Sequence, residues 1–161
     1  MSTAITWNGM DECRALFARL REQTDDLRPI LNAIGNELTE SAKTRIADEK
    51  QSPDGTPWPG YVKPDYAALK RSGIKRKNLA PGVNDWVLMP SGGGLLEHSG
   101  NLLQSITYNV GRNEVNIGSN EEYARRHQKG GGGIPARPYL GVSSDDANAI
   151  NKLIRDALDA N

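Results

Sequence analysis

Between Met10 and Gln23 apolar residues recur at helical spacing, with Cys13, Leu16, Phe17 and Leu20 on one face. A longer periodic run follows at once. Leu27, Ile30, Leu31, Ile34, Leu38, Ala42 and Ile46 are spaced by three or four, with Asn32, Asn36, Glu37, Glu40 and Lys43 between them. This pattern predicts a helix from Asp26 to about Ala47, roughly 33 Å long at 1.5 Å per residue. Asp25 and Asp26 are its expected caps, and Pro29 is tolerable because it falls in the first turn. The apolar stripe is narrow, so one side packs and the other faces solvent or a partner.

Helix ends at Gln51-Ser-Pro-Asp-Gly-Thr-Pro-Trp-Pro-Gly60, where prolines and glycines forbid both helix and a central strand. Pro53-Asp54-Gly55 has turn composition. Trp58 between two prolines needs a cover for its large ring, either as a lid on its own core or as a subunit contact. A short helix from Asp65 to Arg71 and one strand, Asp85 to Met89, are expected next. Residues 73–94, rich in Gly and Pro, read as a mobile excursion that orders on a partner.

Alternation returns in Ser105 to Val110 and Glu114 to Gly118, joined by Gly111-Arg112-Asn113 as a hairpin. A helix from Glu121 to about Gln128, capped by Asn120, is expected after it. Gly130 to Gly133 reads as a flexible joint, and Tyr139 to Val142 as a third strand. Ser143 and Asp146 form a capping-box start for a last helix bearing Ala147, Ile150, Leu153, Ile154, Ala157 and Leu158 on one stripe. The expected fold is α+β: long N-terminal helices on a small antiparallel sheet, a C-terminal helix and long Gly/Pro-rich loops. No repeat or internal boundary divides residues 1–161, so one domain is expected.

Composition narrows the function. Twenty Lys and Arg balance twenty Asp and Glu, which disfavours a broadly cationic nucleic-acid binder. The single Cys13 excludes an intrachain disulfide framework and a multi-cysteine metal cluster, and its place on the first apolar stripe makes it a small buried hydrophobe. No run approaches the roughly 20 apolar residues of a membrane span, and the N-terminus has no secretory pattern. A soluble protein made in the cytoplasm, with no membrane partner, is expected.

Catalytic constellations are thin. His98 and His127 lie near Glu97, Glu121 and Glu122, but no ligand spacing links them, so loop-anchoring hydrogen bonds are the expectation. The glycine runs after Ser91 and Lys129 lack the Gly-Lys-Ser/Thr ending of a phosphate loop. The exception is residues 63–77, where Lys63, Lys70, Arg71, Lys75, Arg76 and Lys77 face one acid, Asp65. With Tyr61 and Tyr66 as stacking faces this run suits nucleic-acid phosphates, or else an acidic patch on a neighbouring subunit; overall neutrality favours the latter.

Five segments together resemble a known family. They are Ile34-Gly-x-x-Leu-x-x-Ser41-x-x-x-Arg45; Ser52-Pro-Asp-Gly-Thr-Pro-Trp58-Pro; Leu96-x-His98-Ser-Gly100-x-Leu102-x-x-Ser105-Ile106; Val115-x-Ile-Gly118-Ser-Asn120-x-x-Tyr123-Ala-x-x-His127-Gln-x-Gly130; and Ile134-Pro-Ala-Arg137-Pro-Tyr139-Leu-Gly141. In this order they resemble the virion morphogenesis family of Mu-like and related tailed bacteriophages, which includes tail-completion proteins. Ile46 and Tyr139 stand where that family often shows Phe. The stretch from Lys75 to Gly94 is longer and more glycine-rich than its pattern.

The resemblance implies a small α+β structural protein of the phage neck or head-proximal tail end, without catalytic residues or cofactors. Its expected place is the virion, after assembly in the host cytoplasm. The expected partners are its own copies in a ring, neighbouring neck, connector or tail-tube proteins, and packaged DNA near the lumen. Six copies are favoured because tail tubes are typically six-fold, with twelve as the portal-like alternative. Candidate contact residues are Trp58, Tyr61, Lys70, Arg71, Lys75, Arg76, Lys77, Tyr123, His127, Arg137 and Tyr139. Arg137, set between prolines, is expected to fork onto a carboxylate or carbonyl, serving the fold or a subunit joint. Ring closure needs unlike faces to match, which pairs the basic run with an acidic last helix carrying Asp145, Asp146, Asp156 and Asp159. The alternatives are a head-morphogenesis factor and a nucleic-acid binder using residues 63–77.

Overall fold

The spacing of Ile30, Leu31, Ile34, Ala42 and Ile46 decides the architecture, because it gives one helical run two cores to bury. The structure is a computed structural model that describes residues 10–60, 96–97, 99–131 and 134–160. Its elements are α1 (Met10–Gln23), α2 (Arg28–Thr44), a π turn (Arg45–Glu49), α3 (Asn101–Ser105), β1 (Ile106–Val110), β2 (Val115–Ser119), α4 (Ala124–Lys129) and α5 (Ser144–Asp159). This is the α+β arrangement expected, with helices around a two-stranded antiparallel sheet. The expected helix at 65–71, the strand at 85–89 and the excursion at 73–94 lie outside the described residues.

The first core joins α1, α2 and α5 through Cys13, Leu16, Leu20, Ile30, Leu31, Ile34, Ile150 and Ile154. The second gathers Ala42, Ile46, Trp58, Leu96, Leu102, Ile106, Ala124 and Tyr139. Each Leu or Ile side chain so enclosed contributes about 1.5–3 kcal/mol relative to exposure. β1 and β2 pair from Ile106 with Ser119 to Val110 with Val115, and the sheet lies on α2. Contact there is close: a Cβ at Gly35 would stand 2.3 Å from the Tyr108 ring, so only glycine lets the ring rest on the helix.

The expected start and end of α2 shift slightly. Leu27, itself buried, takes the N-cap position, while Asp26 accepts hydrogen bonds from the Arg28 backbone N–H at 3.1 Å and its guanidinium at 2.8 Å. Those bonds hold the Asp26 carboxyl down at about 2. At the other end the helix widens, and Lys50 N–H bonds to Arg45 O at 2.9 Å before Lys50 turns left-handed. The last helix starts as its residues predict, with Ser143 and Asp146 in a reciprocal capping box.

Three expectations need correction. Asn120 caps no helix: Ser119 Oγ accepts from Glu121 N–H at 3.1 Å, and α4 begins at Ala124. The four-glycine joint is pinned at its described ends, where Gly131 and Ile134 bond in both directions. Gly130, at φ +75°, has no room for a Cβ beside the Ala136 backbone nitrogen at 3.0 Å. No third strand forms at Tyr139 to Val142. Pro138 has no N–H, and side chains take up the polar groups that a ladder would need.

Candidate functional site at the base of residues 61–95

Those side chains build one site around the Pro135–Gly141 stretch. Gln128, on α4, accepts from the backbone N–H groups of Tyr139 and Leu140 at 3.0 Å each, and its Nε2 donates to Leu140 O at 2.8 Å. Trp58 Nε1 donates to Pro138 O at 3.1 Å. Arg45 Nη1 donates to Tyr139 O at 2.8 Å. The Arg45 guanidinium, 2% exposed, also reaches Asp146 Oδ2 at 2.5 Å and Ser41 Oγ at 2.7 Å. One buried cation thus joins α2, the Pro-rich stretch and the cap of α5.

Burial alone would push the Asp146 carboxyl up. Hydrogen bonds from Ser41 and Ser143, with the Arg45 charge, more than offset it and hold it below the usual carboxylate range. Burial pushes Tyr139 up to about 12, with Tyr123 adding to the shift. His127 is half-buried, with its ring edge-on to Tyr123 at 5.7 Å. Burial first, and then the Arg137 charge, lower its pKa, and its Nδ1 meets no partner among the described residues.

Arg137 holds a different set of acceptors from Arg45. Its N–H donates to His127 O at 2.7 Å, its Nε to Pro59 O at 2.9 Å and its Nη2 to Gly60 O at 3.1 Å. Pro59 and Gly60 are the last residues before position 61. The chain comes back at Leu96, which is buried in the same core as Trp58, and Glu97 pairs with Lys50 at 2.8 Å. Pro59 and Gly60 on one side, and Leu96 and Glu97 on the other, are thus anchored around one core. Below it, Trp58 N–H bonds to Lys50 O, and Ser52 and Thr56 close the turn that carries the ring inward.

Of the residues singled out by sequence, Trp58, Arg137 and Tyr139 are all at most 6% exposed and come together in this base. Trp58 takes the lid position, and the Arg137 fork falls on backbone carbonyls of its own chain. Tyr123 and His127 sit half-buried at its edge. Tyr61, Lys70, Arg71, Lys75, Arg76 and Lys77 lie outside the described residues. The acidic face expected on the last helix loses Asp146, which is buried against Arg45, because a carboxylate that caps a helix N-terminus here turns inward. Asp156 is already paired with Lys152 at 2.7 Å.

Sequence reasoning missed Gln128 and the Arg45–Asp146 link. The signal for Gln128 was its place inside the fourth of the five segments; nothing local announces a partner 101 positions away for Arg45. Among the described residues no group of His, Cys, Asp and Glu is placed to hold a metal, and no helix is long and apolar enough to cross a membrane. Cys13 is buried, and burial with nearby Glu12 pushes its thiol up, away from the reactive thiolate.

All five segments that carry the family resemblance meet at this base: through Arg45, Trp58, Leu96, Gln128 and Arg137 in turn. The sequence profile of the phage virion morphogenesis family matches residues 10–81 and 84–159. The chain belongs to the phage virion morphogenesis family. A G protein of a Mu-like prophage in Haemophilus influenzae (FluMu G protein 1) is 29% identical over 136 residues, 84% of this chain and 82% of that one. The putative capsid assembly protein G of Escherichia phage Mu is 37% identical over 76 residues, 42% of this chain and 49% of its own length. A second Haemophilus influenzae prophage relative, FluMu G protein 2, is 41% identical over 63 residues, 35% of this chain and 46% of its own. No solved structure matches. Membership gives the chain a structural or assembly role in phage virion morphogenesis.

Proposed function

We propose that this virion morphogenesis protein is a non-enzymatic component of the phage neck or head-proximal tail end, acting as a ring in tail completion, tail termination or head–tail joining. The observation that carries the reading is the shared base: Arg137, Trp58, Leu96 and the Lys50–Glu97 pair root both ends of residues 61–95 on one buried core. A rigid base lowers the entropy lost when the segment it carries docks, which suits a subunit that must meet several neighbours. The basic run at 63–77 belongs to that segment and supplies charge for an acidic neighbour. Six copies match a six-fold tail tube, and twelve would match a portal-like ring.

Mass spectrometry of purified virions tests the reading. A tail-end ring is present in a few copies, on the order of six to twelve per particle. The capsid-assembly name of the Mu relative favours a second reading, a head-morphogenesis factor that assists the shell and leaves. Absence from mature virions would support that reading and sink the ring.

A further inference from the structure

Asp54 and Gly55 form the exposed tip of the turn that carries Trp58 inward. Ser52 N–H donates to Thr56 O at 2.8 Å, and Gly55 N–H donates to Ser52 O at 2.8 Å. Asp54 Oδ1 accepts from Thr56 N–H at 2.9 Å. Beneath the tip, Gln51 bridges to Pro57, and Trp58 N–H donates to Lys50 O at 2.9 Å. The turn calls for both residues. Gly55 stands at φ +83°, where any side chain would be strained, and the Asp54 side chain is short enough to bond the N–H two residues on.

An aspartate before a glycine is chemically labile, because no side chain crowds the glycine nitrogen. That nitrogen bonds to the aspartyl Cγ, water leaves, and a five-membered imide forms. Water then opens the imide. Opening at the α-carbonyl breaks the original peptide bond and leaves the chain running through Cγ, which is isoaspartate with no net change in mass. Two contacts of the turn oppose the first step. The Gly55 nitrogen attacks only after losing its proton, and Ser52 O holds that proton. The carboxyl loses water only from its protonated form, and the hydrogen bonds from Thr56 hold Asp54 below the usual carboxylate range.

We propose that Asp54 is a site of spontaneous backbone isomerisation that the folded turn holds shut, and that conversion there unseats Trp58. Isoaspartate adds one carbon to the backbone path inside the loop that the Ser52–Thr56 hydrogen bond closes. Trp58 follows two residues after Thr56. Its bond to Pro138 O and its place in the second core depend on the direction in which the turn delivers it. Chains that stay unfolded therefore age at this position, and chains that fold first are protected. The inference goes beyond the assembly reading and does not depend on a ring.

Peptide mapping that separates aspartate from isoaspartate at position 54 tests the site, on full-length protein held at neutral pH either folded or in guanidinium chloride. Isoaspartate accumulates at least about tenfold faster in the unfolded chain, since the folded one reacts only through local opening. Equal rates overturn the guard, and no isoaspartate at 54 in denaturant overturns the site. Hydrogen exchange on isomerised chains, refolded and separated from unaltered chains of the same incubation, tests the consequence. The Trp58 amide exchanges at least about tenfold faster in them, because the turn that seats it has opened. Isomerised chains that fail to refold beside unaltered chains that succeed also support the link. A Trp58 amide equally slow in both overturns it.

Discussion

Arg45 and Asp146 form a buried charge pair, at 2% and 4% exposure, and each satisfies groups from separate parts of the chain. Breaking a buried pair strands one charge, which typically costs about 3–5 kcal/mol, whereas an apolar pair of similar volume is close to neutral. Urea denaturation of Arg45→Met and of Asp146→Leu should show losses of about that size for each, and the double variant a loss well below their sum. Acid should act in two stages. His127 has a lowered folded pKa, so the unfolded chain binds its proton first and stability falls as pH drops below about 6.5. Asp146 is also lowered, so its contribution is complete above about pH 4 and is lost as pH falls through its folded value. Melting temperatures between pH 8 and 3 should show both limbs, and His127→Gln should flatten only the upper one.

At the scale of elements, α2 serves both cores because its stripe continues past Thr44 into the π turn that seats Arg45 and Ile46. Gly35 is the cost of laying β1 across it. Elsewhere on a helix Gly→Ala stabilises by up to about 1 kcal/mol, but here the new Cβ meets the Tyr108 ring at 2.3 Å. Gly35→Ala should therefore destabilise by about 1–3 kcal/mol, and Tyr108→Ala in the same chain should remove most of that penalty, read by chemical denaturation. The long helices α1, α2 and α5 and the hairpin were legible in the sequence because a single period fixes which face is buried. The cap of α5 was legible because its partners stand three residues apart. Tyr139 to Val142 looked like a strand from composition alone; what it became depends on Gln128, Trp58 and Arg45, which arrive from distant parts of the chain.

At the scale of the molecule, the second core ties the departure and return of residues 61–95 to the helical frame. Trp58 was readable as a covered ring because prolines on both sides left it no regular element to join. That Arg137 would grip Pro59 and Gly60, 78 and 77 positions away, was not readable, since no local pattern encodes so distant an acceptor. Trp58→Ala should cost about 3–5 kcal/mol in the isolated chain, because a large buried ring is removed and its core relaxes only partly. Arg137→Lys should lie between wild type and Arg137→Ala in thermal stability, since lysine keeps the charge but loses the fork to two carbonyls. The most direct test of the assembly role is negative-stain microscopy of particles made by a phage lacking this gene. The account predicts DNA-filled heads beside separate, unjoined tails; normal virions would contradict it, and malformed or empty heads would move the protein from the junction to the shell.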